Sequence, residues 1–421
     1  MNPALLLTLA AFWRTRRRAK HLRTRQQLIG WQAKRLARFL KDRAPRAEAF
    51  ADLAGRPLTD FPVMDKAQLM GAFDRYNIAG ITGEVAWSAL ETSGRIDRFS
   101  IGASTGTSGN RGLYLVSDAE RYLWLGTLLA KALPDMLHAR HRVAVLLPRG
   151  SRLYDAANES GRLTLKFLDL TDGLETCVAA AAAFRPDVLV APPHALVAIA
   201  KADLPFHPRH VFSGAEVLDP SDRRQIEARF RLVMREIYMA TEGLFGVACE
   251  HGTLHLCEDC VAFEWEGQGD LTAPIVTDFT RRSQLMIRYR MNDLLRLSDV
   301  PCPCGSPLQA VAEIAGRCDD MFELASAEGG RVTFTPDVIR NAVIGADKAI
   351  SDFRVIQTGP DQVRLILPPH NTGALDAATV ALKALFLRAG AKPEIIGAVE
   401  EPPRVTGAKL RRVMRAVEST A

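Results

Sequence analysis

The spacing of apolar positions sets the first expectations. Between 22 and 41, Leu22, Ile29, Leu36 and Leu40 recur on one stripe with Lys and Arg around them, the period of an amphipathic helix. Residues 42–63 lose that period and carry Pro45, Gly55, Pro57 and Pro62, a loop composition. From 96 the pattern shortens. Residues 96–101 and 112–117 read as two strands, and Ser117-Asp118-Ala119-Glu120 is a capping box opening a helix to about Leu137. Apolar runs at 142–147, 163–168, 187–191, 209–213 and 233–238 then alternate with helical stretches at 174–184, 194–203 and 219–230. That βαβα order predicts a parallel sheet covered by helices. Residues 244–300 turn β-rich. A helix at 335–346, a hairpin at 353–367, a helix at 374–388 and a strand at 394–399 complete the chain. The expected fold class is α/β: a large part, 1–316, with mixed or parallel sheets flanked by helices plus a β-rich portion, and a small α+β part, 317–421.

Composition narrows the class further. The 421 residues are 48% hydrophobic and 24% charged, an ordinary globular balance that excludes a disordered or collagen-like chain. No apolar run approaches the length that spans a bilayer. The net charge of +6 is uneven: residues 1–46 hold thirteen basic side chains and one acid, Asp42, so the body beyond them is mildly acidic. A pI near 9 therefore does not make this a nucleic-acid binder. Residues 1–13 are apolar and precede the basic cluster, the reverse of a secretory signal. The segment reads as an ordinary first helix with a solvated basic face, and weak contact with an anionic membrane surface is its rarer use. Seven cysteines, an odd number, with no secretory signal ahead of them lead us to expect a reduced, cytoplasmic chain.

Six segments could carry chemistry. The loop Ser104, Thr105, Gly106, Thr107, Ser108, Gly109 offers hydroxyls and backbone N–H groups that can wrap polyphosphate, or is a plain hairpin turn. Tyr238-Met239-Ala240-Thr241-Glu242-Gly243 follows a strand expected to be parallel, where ligands of open α/β sheets collect. Asp293, after Tyr289-Arg290-Met291-Asn292, is an acid that a ribose diol can meet, or a solvated turn residue. Gly316-Arg317-Cys318-Asp319-Asp320-Met321 suits a phosphate-binding hinge or a simple linker. Thr406-Gly407-Ala408-Lys409-Leu410-Arg411-Arg412 brings a lysine after a glycine turn, or a solvated basic tail. Cys302-Pro303-Cys304-Gly305 looks like half a zinc knuckle, to be completed from Cys249, His255, Cys257 and Cys260, or one pair of a set of unpaired thiols.

Taken in order, STGTSGNRG (104–112), FSGAEVLDP (212–220), YMATEG (238–243), YRMND (289–293), GRCDDM (316–321) and VTGAKLRR (405–412) resemble the core motifs of the adenylate-forming superfamily of acyl-CoA ligases and adenylation domains. The chain looks most like the short phenylacetate–CoA ligase branch, to which Trp31-Gln32-Ala33-Lys34-Arg35-Leu36 and Pro62-Val63-Met64-Asp65-Lys66 are also similar. The resemblance implies ATP and magnesium as cofactors and a small carboxylic acid as substrate. It implies CoA or a phosphopantetheinyl carrier protein as thiol acceptor; an amine acceptor is the alternative. A non-enzymatic anionic-surface binder working through the arm is the remote third reading. By position, Ser104 to Gly109 form the ATP phosphate loop. Gly214, Ala215 and Glu216 line the adenine site and Tyr238 flanks the base. Thr241 touches phosphate, Glu242 holds magnesium, Asp293 binds the ribose hydroxyls and Arg317 the ribose or phosphate. Asp319 is the hinge of a mobile lid, and Lys409 bridges carboxylate and α-phosphate. The branch also implies a structural zinc on Cys249, His255, Cys302 and Cys304, with Cys257 and Cys260 as rivals. Met239 stands where the family has glycine, Met291-Asn292 where it has Thr-Gly, and Asn110-Arg111 where many members have lysine. Tyr154, Pro192, Ser213, Ala215, Ala240 and Phe245 are expected around the acyl group, and their small or aromatic character favours a flat aryl acid.

Overall fold

A computed structural model describes residues 3–104, 111–148, 162–202, 204–267, 270–350, 352–403 and 410–416. The chain divides into two compact units, one of Met1–Asp270, Pro274–Met291 and Leu297–Ala312, the other of Leu271–Ala273, Asn292–Arg296 and Glu313–Ala421.

The larger unit opens with helices α1 (Pro3–His21) and α2 (Arg25–Asp42), then α3 (Lys66–Gly71) and α4 (Gly83–Thr92). Thr24 caps α2 in a reciprocal box with Gln27. The loop expected over 42–63 is wound into short 3-10 turns. Strands β1 (Arg95–Ile96), β2 (Phe99–Ala103) and β3 (Leu113–Ser117) form a small antiparallel sheet, and α5 (Asp118–Ala132) follows. The capping box of α5 forms as read: Ser117 and Glu120 bond each other's backbone N–H groups. The helix ends at Ala132, short of the expected Leu137.

The alternation then appears as β4 (His141–Leu147), β5 (Leu163–Asp169), α6 (Leu174–Phe184), β6 (Val188–Ala191), α7 (Pro193–Lys201), β7 (His210–Gly214), α8 (Pro220–Phe230) and β8 (Arg235–Ala240). The order β5-β4-β6-β7-β8 is parallel throughout. Helices α6, α7 and α8 bury Ala181, Leu196, Ile199 and Ile226 on Leu146, Leu189 and Val211 of the strands. The sheet continues antiparallel through β9 (Gly243–Ala248) and β10 (Leu254–Leu256). A second sheet is β11 (Val261–Glu266), β12 (Ala273–Asp278) and β13 (Tyr289–Arg290). The unit boundary runs through β14 (Asp293–Ser298) and β15 (Ala310–Arg317).

In the smaller unit, β16 (Phe322–Ala325) and β17 (Arg331–Phe334) form a hairpin, followed by α9 (Pro336–Ala346), β18 (Arg354–Gly359), β19 (Gln362–Leu367), α10 (Leu375–Arg388), β20 (Glu394–Val399) and β21 (Val413–Arg415). Its sheet runs β20-β19-β18-β21 over a core of Ile339, Val355, Leu365, Leu382 and Phe386. Strands β1, β15, β16, β17 and β21 went unread in the sequence. All but the eight-residue β15 have two to four residues, too few to show a period of two.

Candidate functional site

Two neighbouring strand ends organise the larger unit. Strands β7 and β8 pair through Ser213–Glu236 and Gly214–Ile237, which brings the carboxyl ends of both to one side. Ala215, the first residue past β7, holds φ at +69°, a left-handed conformation rare for a residue with a Cβ and typical of functional turns. Glu216 follows with its side chain only 4% exposed, and its carboxylate meets Nδ1 of His194 at 2.9 Å. The Ser213 hydroxyl is buried without a hydrogen-bond partner, a polar group with bonding capacity to spare. At the end of β8, Tyr238 lies 5.5 Å from the Phe245 ring, and that ring is followed by Phe263 at 6.4 Å.

Between β8 and β9 the chain turns at Thr241 and Glu242. Arg281, 7% exposed, donates from Nη2 to both their carbonyl oxygens, at 2.7 and 2.8 Å. The Glu242 carboxylate is aimed from two sides. Thr241 Oγ1 donates to Oε2 at 2.7 Å, and Tyr289 Oη donates to Oε1 at 2.9 Å. Tyr289 is fixed by the Pro62–Lys66 stretch, because Met64 N donates to Arg288 O at 3.0 Å and Arg290 N to Met64 O at 2.8 Å. Both donors are hydroxyls, and each oxygen keeps a further lone pair for a hard cation, which takes oxygen ligands. Behind the turn, burial raises the Asp278 carboxyl above its ordinary range, and nearby Arg281 only partly offsets this.

Ser104 closes the neck of the glycine-rich loop: its N–H donates to Gly112 O and its Oγ accepts from Gly112 N, both at 2.8 Å. Arg111 donates to Ser104 O at 3.3 Å and lies over the Trp87 ring at 5.1 Å. Thr105, Gly106, Thr107, Ser108, Gly109, Tyr154 and Lys409 lie outside the described residues.

The smaller unit holds Asp293, Arg317 and Asp319. Asn292 is bound to Asp319 twice, donating from Nδ2 to its carboxylate and accepting from its N–H at 3.2 Å. Arg317 donates to the same carboxylate at 3.3 Å. Burial pushes the Cys318 thiol up, and the carboxylates of Asp293 and Asp319 push it further, so these acids share one neighbourhood. Gly316 holds φ at +151°, and a Cβ there would lie 2.7 Å from Pro336, two reasons for glycine in that motif. Asp320 is buried and paired with Arg411, which ties the second motif aspartate to the last motif of the chain.

The cysteine question has a geometric answer. The ligand atoms of Cys249, His255, Cys302 and Cys304 all lie within 4.8 Å of one another. Cys249 Sγ is 3.6 Å from Cys302 Sγ, and Cys304 Sγ is 3.3 Å from His255 Nε2, separations that four ligands around one tetrahedral ion require. His255 Nδ1 lies 3.1 Å from the Leu308 carbonyl, an acceptor that fixes the tautomer with Nε2 free to bind a metal. Cys257 and Cys260 are outside this cluster. Burial pushes both thiols up, Cys260 to about 12, beside Lys131, Asp259 and Arg18.

The sequence reasoning missed Tyr289 and Arg281 as the groups that hold Glu242, His194 as partner of Glu216, and the Asp320–Arg411 pair. Tyr289, Asp320 and Arg411 all stood inside quoted motifs. His194 and Arg281 did not.

No protein-family model matches the sequence, and no curated protein matches it either. Solved structures match the fold. 2-Hydroxyisobutyryl-CoA ligase in its postadenylation state with R3-HIB-AMP aligns at a TM-score of 0.68 and 17% identity, over 93% of this chain and 90% of that one. ATP-bound MatB from Rhodopseudomonas palustris aligns at 0.52 and 14% identity, over 73% of this chain and 65% of that one. The anthranilate CoA ligase AuaEII with anthranoyl-AMP aligns at 0.50 and 13%, over the same shares. At such identities the shared property is the architecture. The chain has the fold of the adenylate-forming acyl-CoA ligases.

Proposed function

We propose that this protein uses ATP to convert a carboxylic acid, preferably an aromatic one, into an acyl-adenylate, and then passes the acyl group to the thiol of CoA or of a carrier protein. The observation that carries this reading is the Glu242 turn: an acid aimed by Thr241 and Tyr289 and clamped by Arg281, at the end of β8, in a chain whose fold matches such ligases along nearly its whole length.

The chemistry explains the demand for these groups. A carboxylate is a poor electrophile, and joining it to AMP brings two anions together. Magnesium, held by Glu242, would neutralise phosphate charge. The loop from Ser104 to Gly109 would wrap the polyphosphate with N–H and hydroxyl donors, and Thr241 would donate to a phosphate oxygen. Tyr238 would stack on the adenine beside Gly214, Ala215 and Glu216. Asp293 would accept from the ribose hydroxyls, with Arg317 beside it. Lys409 would stabilise the charge shared by carboxylate and α-phosphate, then withdraw as the chain turns about Asp319 to admit the thiol. The Cys249, His255, Cys302 and Cys304 set fits a closed structural zinc.

The similar structures bind adenylates or acids as unlike as 2-hydroxyisobutyrate and anthranilate. The aromatic preference therefore rests on the Phe245 ring and on the small residues Ser213, Ala215 and Ala240 expected around the acyl group. ATP–pyrophosphate exchange over a panel of carboxylic acids tests the whole reading. We expect exchange with an aryl acid and its near loss in Lys409→Ala. Silence with every acid would overturn the enzyme assignment, and profiling thiol against amine acceptors identifies the second substrate.

A further inference from the structure

The basic N-terminal arm is not used by the reaction above, and its surface has a distinctive make-up. Helix α1 is fastened to the body by one face. Ala4, Thr8, Ala11, Phe12 and Thr15 are buried, and at Gly126 of α5 the backbones approach so closely that a Cβ would sit 2.1 Å from the Thr8 carbonyl. Arg18 continues the attachment through Asp259, at 3.1 Å, and Asp259 also binds Lys131 of α5 at 2.7 Å. Arg25 of α2 pairs with Glu258.

With that face seated, the opposite face is turned to solvent, and it carries side chains that water does not favour. Leu6 is 43% exposed and Trp13 58%. Seven residues apart, they stand on one side of the helix, about 10 Å from each other along its axis. Arg17 and Lys20 extend the same side, and Arg14 borders it. At the edge of this side, near Arg14, Arg35 of α2 is held below its ordinary value by burial and by Arg38, Arg18, Arg282 and Arg14. Among the described residues, ion pairs of the arm form at Arg18 and Arg25 and at no other arm residue.

We propose that this face, Leu6 and Trp13 with Arg14, Arg17 and Lys20, is a docking surface for an anionic lipid bilayer. An indole and an aliphatic side chain beside a cationic field are the composition of helices that lie in the headgroup layer: the apolar groups enter and the guanidiniums meet lipid phosphates. A polyanion alone gives a bare leucine nothing to bury against, which argues for lipid over nucleic acid. The remainder of the chain is net acidic, so an anionic surface repels it and the arm face alone leads. No helix among the described residues is long and apolar enough to cross a membrane, so the contact is peripheral.

The test is co-sedimentation of the full-length protein with vesicles of phosphatidylcholine containing phosphatidylserine, and with vesicles of phosphatidylcholine alone, at low and high salt. We expect capture by the anionic vesicles only, weakened by salt. Trp13→Ala, and Arg14→Glu combined with Arg17→Glu, are each expected to weaken capture about tenfold or more. Trp13, Arg14 and Arg17 are solvent-facing, and unchanged thermal unfolding of the variants establishes that they fold. Failure of anionic vesicles to capture the protein, or capture unchanged in both variants, overturns the proposal. So does duplex DNA or RNA that binds this face more tightly than the vesicles do.

Discussion

Glu242 illustrates what one side chain needs before it can hold a cation. Its two oxygens are each met by a hydroxyl, and its backbone carbonyl is held by Arg281. Tyr289→Phe, which removes the donor to Oε1, should lower the exchange rate by about three- to tenfold, the worth of one ordinary hydrogen bond. Glu242→Gln, which keeps the shape and removes the charge, should lower it by about a hundredfold or more. Equal exchange in wild type and Glu242→Gln would remove Glu242 from the site. Thr241 and Glu242 were singled out through the resemblance of the segment 238–243 to a family motif, since a polar turn after a strand is by itself ordinary. Arg281 was not legible. It is followed by Arg282, and nothing in the sequence tells the pair apart. Burial separates them: Arg281 is 7% exposed and hydrogen-bonds the site, whereas Arg282 faces solvent and joins the arginines of the arm. Tyr289 stood in a quoted motif, but its reach to Glu242 depends on the bridge from Met64, more than two hundred residues earlier, which no local pattern encodes.

At the scale of elements, the four candidate zinc ligands join the β9–β10 strand pair to the connection between β14 and β15. Cys249 follows β9, His255 lies within the three-residue β10, and Cys302 and Cys304 lie in the connection between β14 and β15. The connection that carries Cys302 and Cys304 has no strand or helix of its own, so a metal tying it to the β9–β10 turn would add stability there. We expect about one zinc per chain in the purified protein, and a lower melting temperature after chelation. Cys302→Ser should lose the metal, and Cys257→Ser should retain it. Well under one zinc per chain would reject the set, and loss of zinc in Cys257→Ser would move the site. The spacing of the cysteines left the choice between these ligands open because it cannot express burial: Cys257 and Cys260 are sealed beside Lys131 and Asp259, while Cys249, Cys302 and Cys304 converge with His255. The parallel strands, by contrast, were legible to within two or three residues, since five apolar runs separated by helices allow few other arrangements. The arm's thirteen basic side chains are less free than their number suggests, as Arg18 and Arg25 bind acids more than two hundred residues away.

At the scale of the molecule, the smaller unit is more than a C-terminal appendage. The sequence suggested a single cut after Gly316, yet the smaller unit begins at Glu313 and also takes Leu271–Ala273 and Asn292–Arg296, so the chain passes between the units five times. Only one of these passages is followed by a whole domain's worth of chain, and Asp319 lies six residues beyond it. There its N–H is held by the Asn292 side chain, and its carboxylate by Asn292 and Arg317. If Asp319 is the hinge between the two half-reactions, a backbone change at this point should separate them kinetically. Asp319→Pro fixes φ near −65° and removes the N–H that Asn292 accepts. We expect ATP–pyrophosphate exchange within about threefold of wild type, while thioester formation from the same acid falls tenfold or more, the cost of one impeded rearrangement of about 1.4 kcal/mol or greater. The ratio of the two rates, measured on one preparation, cancels any fraction that misfolds. A variant in which both rates fall together would assign Asp319 to the site itself, and one in which neither changes would move the hinge elsewhere along 313–321.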